Sequence, residues 1–496
     1  MRLDGRVIYQ VDPATFFDSD GDGCGDLDGV RRRLDHIRAV GADTIWLQPF
    51  YVSPYRDGGY DIVDHCGVSQ RFGTMADFDD LVERCHQLEL RVVVGLVVQH
   101  TSVDHPWFRS AREETASPYR DYYVWAAEPH EDDVVKQPVF PGVEDSIWAY
   151  DDHAGKYYRH AFYRHQPDLD VGHPAVREEI AAIIRLWREH GVDGFRVDAV
   201  PHMVRQARVT DQRDDGFWFL SELAAAAGVP LMGEVDSPLT AYPEYFGKGD
   251  RLTAILDFWT NNLLFLALAR RDAEPLLRAL RQQPDPPEGC TYLNWLRNHD
   301  ELNLSLLTEA ERADVMAAFA PDENMRVFGR GIRRRLAPML GGDTRRVAMA
   351  HAIVQSLPGV PVIRYGEEIG MDDDLSLPER AAVRTPMDWS LVAEQELRTG
   401  SLLSRVSQLV HVRRRLGELP PRRCEPVEFE QGPVFGVVHQ RAEDAVLMLT
   451  NLSDEEAELR LEYDVEADLV ADRQYQPATR ESVQLSGYGY RWLRVK

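Results

Sequence analysis

A repeated alternation of short apolar segments with helical segments constrains this sequence more than any other feature. The strand-like segments cover residues 7–11, 44–48, 91–98, 192–197, 230–233, 253–257, 292–296 and 360–363. Helical patterns separate most of them, and polar residues follow most of the strand ends. Eight such repeats favour a closed parallel (β/α)8 TIM barrel of the α/β class over a doubly wound sheet.

Two parts of the chain depart from this alternation. Residues 101–170 are rich in Tyr, Trp, His, Asp and Pro and show little regularity, which indicates an inserted subdomain after strand three rather than a loop. Residues 417–496 show alternating strands and no long helical pattern, which predicts a C-terminal antiparallel β-sandwich. Residues 1–100 and 171–416 are then expected to form the barrel.

Polar residues cluster where the predicted strands end. In a barrel of this type the carboxyl ends of the strands build the active site, so these side chains are expected on one rim. Asp61 follows strand two through a loop and belongs to the same predicted rim. The residues at the strand ends are His100, Arg196, Asp198, Glu234, Asp257, His299 and Asp300.

Strand four carries an arginine and an aspartate two positions apart. Arg196 and Asp198 therefore point to the same side of the strand. A fixed cation favours the ionised carboxylate, so we expect a lowered pKa for Asp198 and a nucleophile ready to attack. The alternative is a buried ion pair that only closes the strand.

Glu234 supplies a second carboxyl at the next strand end. It follows an apolar strand, and desolvation there is expected to raise its pKa so that it holds a proton. One carboxylate and one carboxylic acid are what glycoside cleavage requires. Asp300 and His299 are expected to hold sugar hydroxyls. For each residue alone, a structural cap at a strand end is the competing interpretation.

An Asp- and Gly-rich loop follows the first strand. Its alternate residues Asp18, Asp20, Asp22, Cys24 and Asp26 predict a site for Ca²⁺ or Mg²⁺. The loop begins like an EF-hand loop, but its twelfth position is Gly29 rather than glutamate, which argues against a helix–loop–helix pair. The alternative is a turn that caps the next helix.

The overall charge excludes some partners. A net charge of −26 argues against nucleic acid and against anionic membrane surfaces. No segment approaches the roughly 18 apolar residues of a membrane span, and the N-terminus shows no apolar secretion signal. The five cysteines form no Cys-x-x-Cys pair, so a cytoplasmic protein with reduced thiols is expected.

Four motifs in order resemble glycoside hydrolase family 13, the α-amylase superfamily. They are Gly95–His100, Gly194–Asp198, Gly233–Asp236 and Asn298–Asp300. Five further stretches are similar to the trehalose synthase group of that family: Pro49–Asp61, His165–Asp170, Leu296–Leu302, Gly331–Pro338 and Val383–Trp389. The stretch His165–Asp170 also resembles the oligo-1,6-glucosidase group.

The resemblance implies roles for individual residues. Asp198 matches the nucleophile, Glu234 the general acid/base and Asp300 the stabiliser of the transition state. The positions that match the substrate site are Tyr60, Asp61, His100, Arg196 and His299.

The implied function is retaining chemistry on a small α-glucoside without an organic cofactor. Isomerisation of maltose and trehalose, with some hydrolysis, is the expected reaction. Two positions differ from the family pattern, since Gly95 stands where Asp is usual and Gln99 where Asn is usual. They motivate the alternative of a weakened paralog that binds glucan or a partner enzyme. A glucosyltransferase to another acceptor is the second alternative, and a homo-oligomer is left open.

Overall fold

Eight parallel strands close into a barrel at the centre of the molecule. The computed structural model describes residues 3–129, 138–211, 215–429, 432–441 and 444–496. We number the barrel strands in chain order: β1 Ile8–Val11, β2 Thr44–Leu47, β3 Arg91–Leu96, β4 Gly194–Val197, β5 Leu231–Glu234, β6 Ala254–Leu256, β7 Thr291–Trp295 and β8 Val360–Arg364. Each strand pairs with its neighbour in sequence, and β8 closes onto β1. The predicted barrel is confirmed.

The strands are apolar because they are covered on both sides. Most of their residues are buried, as parallel strands in such barrels require. Side chains such as Ile8, Trp46, Val93 and Leu293 pack together as one cluster. A larger cluster joins other strand residues to the surrounding helices.

Amphipathic helices form the outer layer. The helix Met75–Gln87 illustrates the pattern, since Phe78, Leu81, Val82 and Cys85 are buried. Thr74 begins this helix with a reciprocal capping box to Asp77. The longer helices that follow barrel strands are Leu34–Val40, Met75–Gln87, Pro174–Glu189, Val200–Asp211, Trp218–Ala227, Phe258–Arg270, Glu274–Gln282, Glu309–Phe319, Thr344–Ser356, Trp389–Glu396 and Leu402–Leu416.

Between β3 and β4 the chain builds its own small sheet. Strands Trp125–Ala126, Trp148–Asp151 and Lys156–Arg159 pair antiparallel, and the helix Pro106–Glu113 precedes them. The aromatic residues of this segment pack mostly against one another. Phe108, for example, stacks on Trp125 with ring centroids 5.6 Å apart. The abundance of rings here reflects packing of the insertion.

The C-terminal part is antiparallel. A five-stranded sheet contains Cys424–Val427, Val434–Gln440, Ala445–Asn451, Tyr490–Val495 and Val465–Ala471 in that spatial order. A two-stranded sheet of Ala457–Leu459 and Val483–Leu485 packs with it through a shared apolar cluster. The expected C-terminal β-domain is present, while the residue boundaries of the domains stay a prediction.

Within the part of the chain that the structure describes, none of the helices combines the length and the apolar character needed to cross a bilayer.

Candidate active site

A buried arginine organises the carboxyl end of the barrel. Arg196 is 1% exposed, and its guanidinium lies 5.4 Å from the centroid of the Trp46 ring. Nη1 donates to Asp198, and Nη2 lies 2.8 Å from Oε1 of Glu234. One guanidinium therefore contacts both predicted catalytic carboxyls.

The strand register explains why the two carboxyls meet. Val197 of β4 is paired with Gly233 of β5, so the following residues, Asp198 and Glu234, leave adjacent strands side by side. Neighbouring strands lie about 4.8 Å apart. Ala199 then takes a left-handed conformation with φ of 48°, and its N–H donates to Oε2 of Glu234 at 3.1 Å. Both carboxyls are thus fixed by backbone geometry.

The protonation of these two carboxyls is set mainly by desolvation. Burial raises the pKa of Glu234 to about 7, against the opposing effect of Arg196. This is the direction expected from the sequence, and it lets Glu234 carry a proton near neutral pH.

For Asp198 the sequence-based expectation is wrong in direction. Burial raises its pKa, and the contact with Arg196 offsets this effect only in part. The sequence pattern showed the neighbouring cation but not the loss of water around the carboxylate. The cation still favours the charged form, which the role of a nucleophile requires.

Asp300 stands in a different electrostatic setting. Burial alone would raise its pKa, but contacts with His299, Arg380 and Arg384 hold it well below the usual range. Oδ1 accepts from Arg380 at 2.8 Å and from Arg384 at 2.9 Å. Asp300 is therefore ionised at any working pH and can stabilise positive charge that develops on a substrate.

The three histidines that line the cavity are neutral. Burial lowers the pKa of His100 to about 4 and of His202 to about 3, and it also lowers the pKa of His299 well below its usual value. Gln10 donates to Nδ1 of His299 at 3.0 Å, so the proton sits on Nε2, which faces Asp300 at 3.0 Å. Neutral rings can exchange hydrogen bonds with a bound ligand without adding charge.

These groups surround one cavity. Its volume is about 320 Å³, within the range of roughly 300–1,000 Å³ typical of ligand pockets. The predicted site residues in its wall are Tyr60, His100, Asp198, Glu234, His299 and Asp300. Arg196 lies behind them, in contact with both carboxyls. The structure thus brings most of the predicted set together.

Asp61 is the predicted substrate residue that the structure places elsewhere. It is fully buried outside the cavity wall, and its carboxylate accepts from Ser53 at 2.8 Å and from the N–H of Arg56 at 3.2 Å. These bonds close the loop. Asp57 lines the cavity instead and accepts from Arg380 at 2.5 Å.

The sequence held a signal for Asp57 but not for Arg380. Gly58 and Gly59 both take positive φ, 57° and 95°, so the chain reverses between Asp57 and Tyr60 and presents both to the cavity. Arg380 comes from a distant 3₁₀ helix, Glu379–Val383, and no local pattern points to it. Asp257, predicted on the rim, is instead a buried helix N-cap that accepts from the N–H of Thr260.

The Asp-rich loop brings three of its five predicted ligands together. Among the residues that the structure describes, oxygen atoms of Asp18, Asp20 and Asp22 lie within 4.8 Å of one another. Cys24, a predicted ligand, lies outside this cluster, and its sulfur accepts from Arg71 at 2.9 Å. Asp26 is also a predicted ligand, but it caps the helix Leu27–Arg32 by accepting from the N–H of Gly29. The cluster can hold a cation through three carboxylates.

Gly95 and Gln99, the two positions that differ from the family pattern, have well-defined contacts. Gly95 pairs in register with Arg196, and an added Cβ would meet only Pro49 at an ordinary 3.7 Å. Gln99 donates to Oε1 of Gln206 at 2.7 Å, and Gln206 donates to the carbonyl of Leu169. Leu169 in turn donates its N–H to the carbonyl of Gln99 at 2.9 Å. The amide pair ties the end of β3 to the insertion.

Solved structures share this architecture. An alpha-amylase from H. orenii superposes with a TM-score of 0.82 at 24% identity, covering 100% of both chains. The trehalulose synthase MutB from Pseudomonas mesoacidophila gives a TM-score of 0.79 at 23% identity, covering 100% of this chain and 99% of that one. At such identities the likeness shows the fold.

Curated relatives are more similar in sequence. A trehalose synthase from Thermus thermophilus is 41% identical over 77% of this chain and 40% of its own length. A trehalose synthase/amylase from Mycobacterium tuberculosis is 40% identical over 77% of this chain and 65% of its own length. The chain thus spans about half of these two relatives. A trehalose synthase from Pimelobacter sp. is 32% identical over 99% of this chain and 95% of its own length.

A family profile also matches this chain. The profile described as "Alpha amylase, catalytic domain" matches residues 10–284, which contain the end of β1, all of β2 to β6 and two of the three carboxyls, Asp198 and Glu234. With a closed barrel, a full-length relative above 30% identity and this match, the chain belongs to the alpha-amylase family, glycoside hydrolase family 13.

Proposed function

We propose that this protein transfers a glucosyl group within a small α-glucoside and so interconverts maltose and trehalose, with hydrolysis as a side reaction. The observation that carries the proposal is the contact of Arg196 with both Asp198 and Glu234. Both carboxyls lie against the same guanidinium, an arrangement compatible with the roughly 5 Å that separates the two carboxyls of retaining glycosidases. The trehalose synthases among the relatives support the choice of substrates.

The reaction is expected to proceed by double displacement. A carboxylate oxygen of Asp198 attacks the anomeric carbon, the glycosidic C–O bond breaks, and Glu234 gives its proton to the leaving oxygen. Glu234 then removes a proton from the 1-hydroxyl of the retained glucose. That oxygen attacks the same carbon and displaces Asp198, which forms the α,α-1,1 bond and restores both carboxyls.

The outcome of the second step depends on the exclusion of water. Two segments meet at the cavity: Val139–Phe140 of the insertion, and the hairpin of strands Arg326–Val327 and Gly331–Ile332, whose turn contains Phe328 and Arg330. Phe328 packs on Phe140 with ring centroids 4.7 Å apart, and Arg330 donates to the carbonyl of Val139 at 2.9 Å. This bridge supports retention of the glucose until it is attacked again.

The first prediction concerns the nucleophile. We expect the purified protein to convert maltose into trehalose, and the reverse, with α-anomeric products visible by NMR; sucrose serves as a third trial substrate. Asp198→Asn is expected to lower turnover by about 10⁴-fold or more, since it removes the attacking group.

The exposed Asp454→Asn, on the C-terminal domain, is the matched control. A protein that binds maltose without turnover, and loses nothing further in Asp198→Asn, would instead be the weakened paralog. Glucosides formed on an added non-sugar acceptor would identify a transferase.

The second prediction concerns pH. The first step needs protonated Glu234, whose pKa is about 7, so kcat/KM for maltose should fall by about tenfold per pH unit well above that value. Release of fluoride from α-D-glucosyl fluoride needs no proton donor and should lack this decline. Glu234→Gln should lower kcat/KM for maltose by about 10²–10⁴-fold. An unchanged alkaline profile in Glu234→Gln with maltose would contradict the assignment.

The third prediction concerns the bridge over the cavity. Phe328→Ala removes the ring that packs on Phe140 and should admit water, so the ratio of free glucose to isomer should rise several-fold, as measured by NMR at equal conversion. Tyr150→Ala, an exposed aromatic of the insertion, is the control and should leave the ratio unchanged. Equal ratios in both variants would show that the bridge does not exclude water.

We also propose that the cluster of Asp18, Asp20 and Asp22 holds Ca²⁺ or Mg²⁺, since hard cations prefer carboxylate oxygens. Saturating Ca²⁺ or Mg²⁺ should raise the melting temperature by a few degrees relative to protein in EDTA, because binding to the folded state alone stabilises it. The double variant Asp20→Asn/Asp22→Asn should lose this rise, and Asp454→Asn should keep it. Identical melting curves with cation and with chelator would refute the site.

A further inference from the structure

A carboxylate that no catalytic step uses lines the same cavity. Asp236 lies two positions after Glu234, where the chain leaves β5. Asn303 donates to its Oδ2 at 2.7 Å, and the hydroxyl of Ser305 donates to Oδ1 at 3.2 Å. A carboxylate offers about four lone-pair sites, so two such bonds leave it able to accept from a ligand.

The charges around the cavity form two groups. Asp300 accepts from Arg380 at 2.8 Å and from Arg384 at 2.9 Å. The charges that act on Asp236 are instead Arg330, Glu234 and Arg205. Arg205, Arg330 and Glu234 line the cavity together with Asp236, so Asp236 belongs to the side of the cavity that Glu234 occupies.

The chemistry assigns a different part of the substrate to each group. The glucosyl ring under attack must contact Asp198 and the stabilising Asp300. The leaving oxygen must contact the proton donor Glu234, so the sugar that carries it must lie on the side of Asp236. A carboxylate, a guanidinium and an amide at that place suit a neutral polyol, because the opposite charges of Asp236 and Arg330 offset each other.

We infer that Asp236 determines acceptor specificity: together with Asn303 and Arg330 it holds the hydroxyls of the released sugar and keeps that sugar oriented for re-attack. This inference rests on the proposed function. It makes Asp236 important for substrates with a sugar leaving group and unimportant for substrates without one. A purely structural role, in which Asp236 only anchors residues 303–305, would affect both kinds of substrate alike.

The test compares two substrates in the full chain. Maltose carries a sugar leaving group, and α-D-glucosyl fluoride does not. In Asp236→Ala, kcat/KM for maltose should fall by about 10- to 100-fold, the effect of losing one or two charge-assisted hydrogen bonds. Fluoride release should keep the wild-type kcat/KM, and the ratio of free glucose to isomer should rise. For Asp236→Asn, which keeps the shape and one acceptor oxygen, kcat/KM for maltose should lie between the values of the wild type and Asp236→Ala. Asp454→Asn should match the wild type.

Two outcomes would overturn the inference. One is fluoride release that falls as much as maltose turnover, which would show a structural role or a role in the first chemical step. The other is unchanged maltose kinetics in Asp236→Ala. The proposed function is tested separately by the wild type alone. If the wild type only hydrolyses maltose, the isomerase proposal fails, while the ratio of maltose to fluoride kinetics in the variants still tests Asp236.

Discussion

The contact of one buried guanidinium with two carboxyls is the interaction on which the site depends. Arg196 is 1% exposed, and a charge without water or partners would be strongly unfavourable there. Asp198 and Glu234 supply the partners, and the register of β4 with β5 brings them to it. The two carboxyls that stabilise the buried arginine are therefore held near each other by the same contacts.

The carboxyls that line this cavity have pKa values shifted in opposite directions. Burial affects all of them, so the differences come from how many cations each one meets. Asp300 has two arginines within hydrogen-bond distance, whereas Glu234 shares a single arginine with Asp198. The pKa of Glu234 is raised to about 7, and that of Asp300 is held well below its usual range. This separation is what acid/base catalysis needs from groups of the same type.

Features that depend on periodicity could be predicted from the sequence, and features that depend on long-range contacts could not. Strand patterns placed the polar residues at the correct end of the barrel, because every parallel strand ends at the same rim. The sequence predicts Asp61 at the substrate site, but Asp57 lines the cavity, because the turn at two glycines decides which carboxylate faces it. The sulfur of Cys24 is turned to Arg71, and the pKa of Asp198 depends on burial. Neither is visible in a local pattern.

The amide pair at the end of β3 has a consequence for how the two parts of the chain stay joined. Gln99 and Gln206 connect the barrel strand to Leu169 through neutral groups, and the backbone bond from Leu169 to Gln99 completes the ring. None of these groups titrates or carries a charge. These bonds therefore do not depend on a protonation state, and a change of pH alone would not break them.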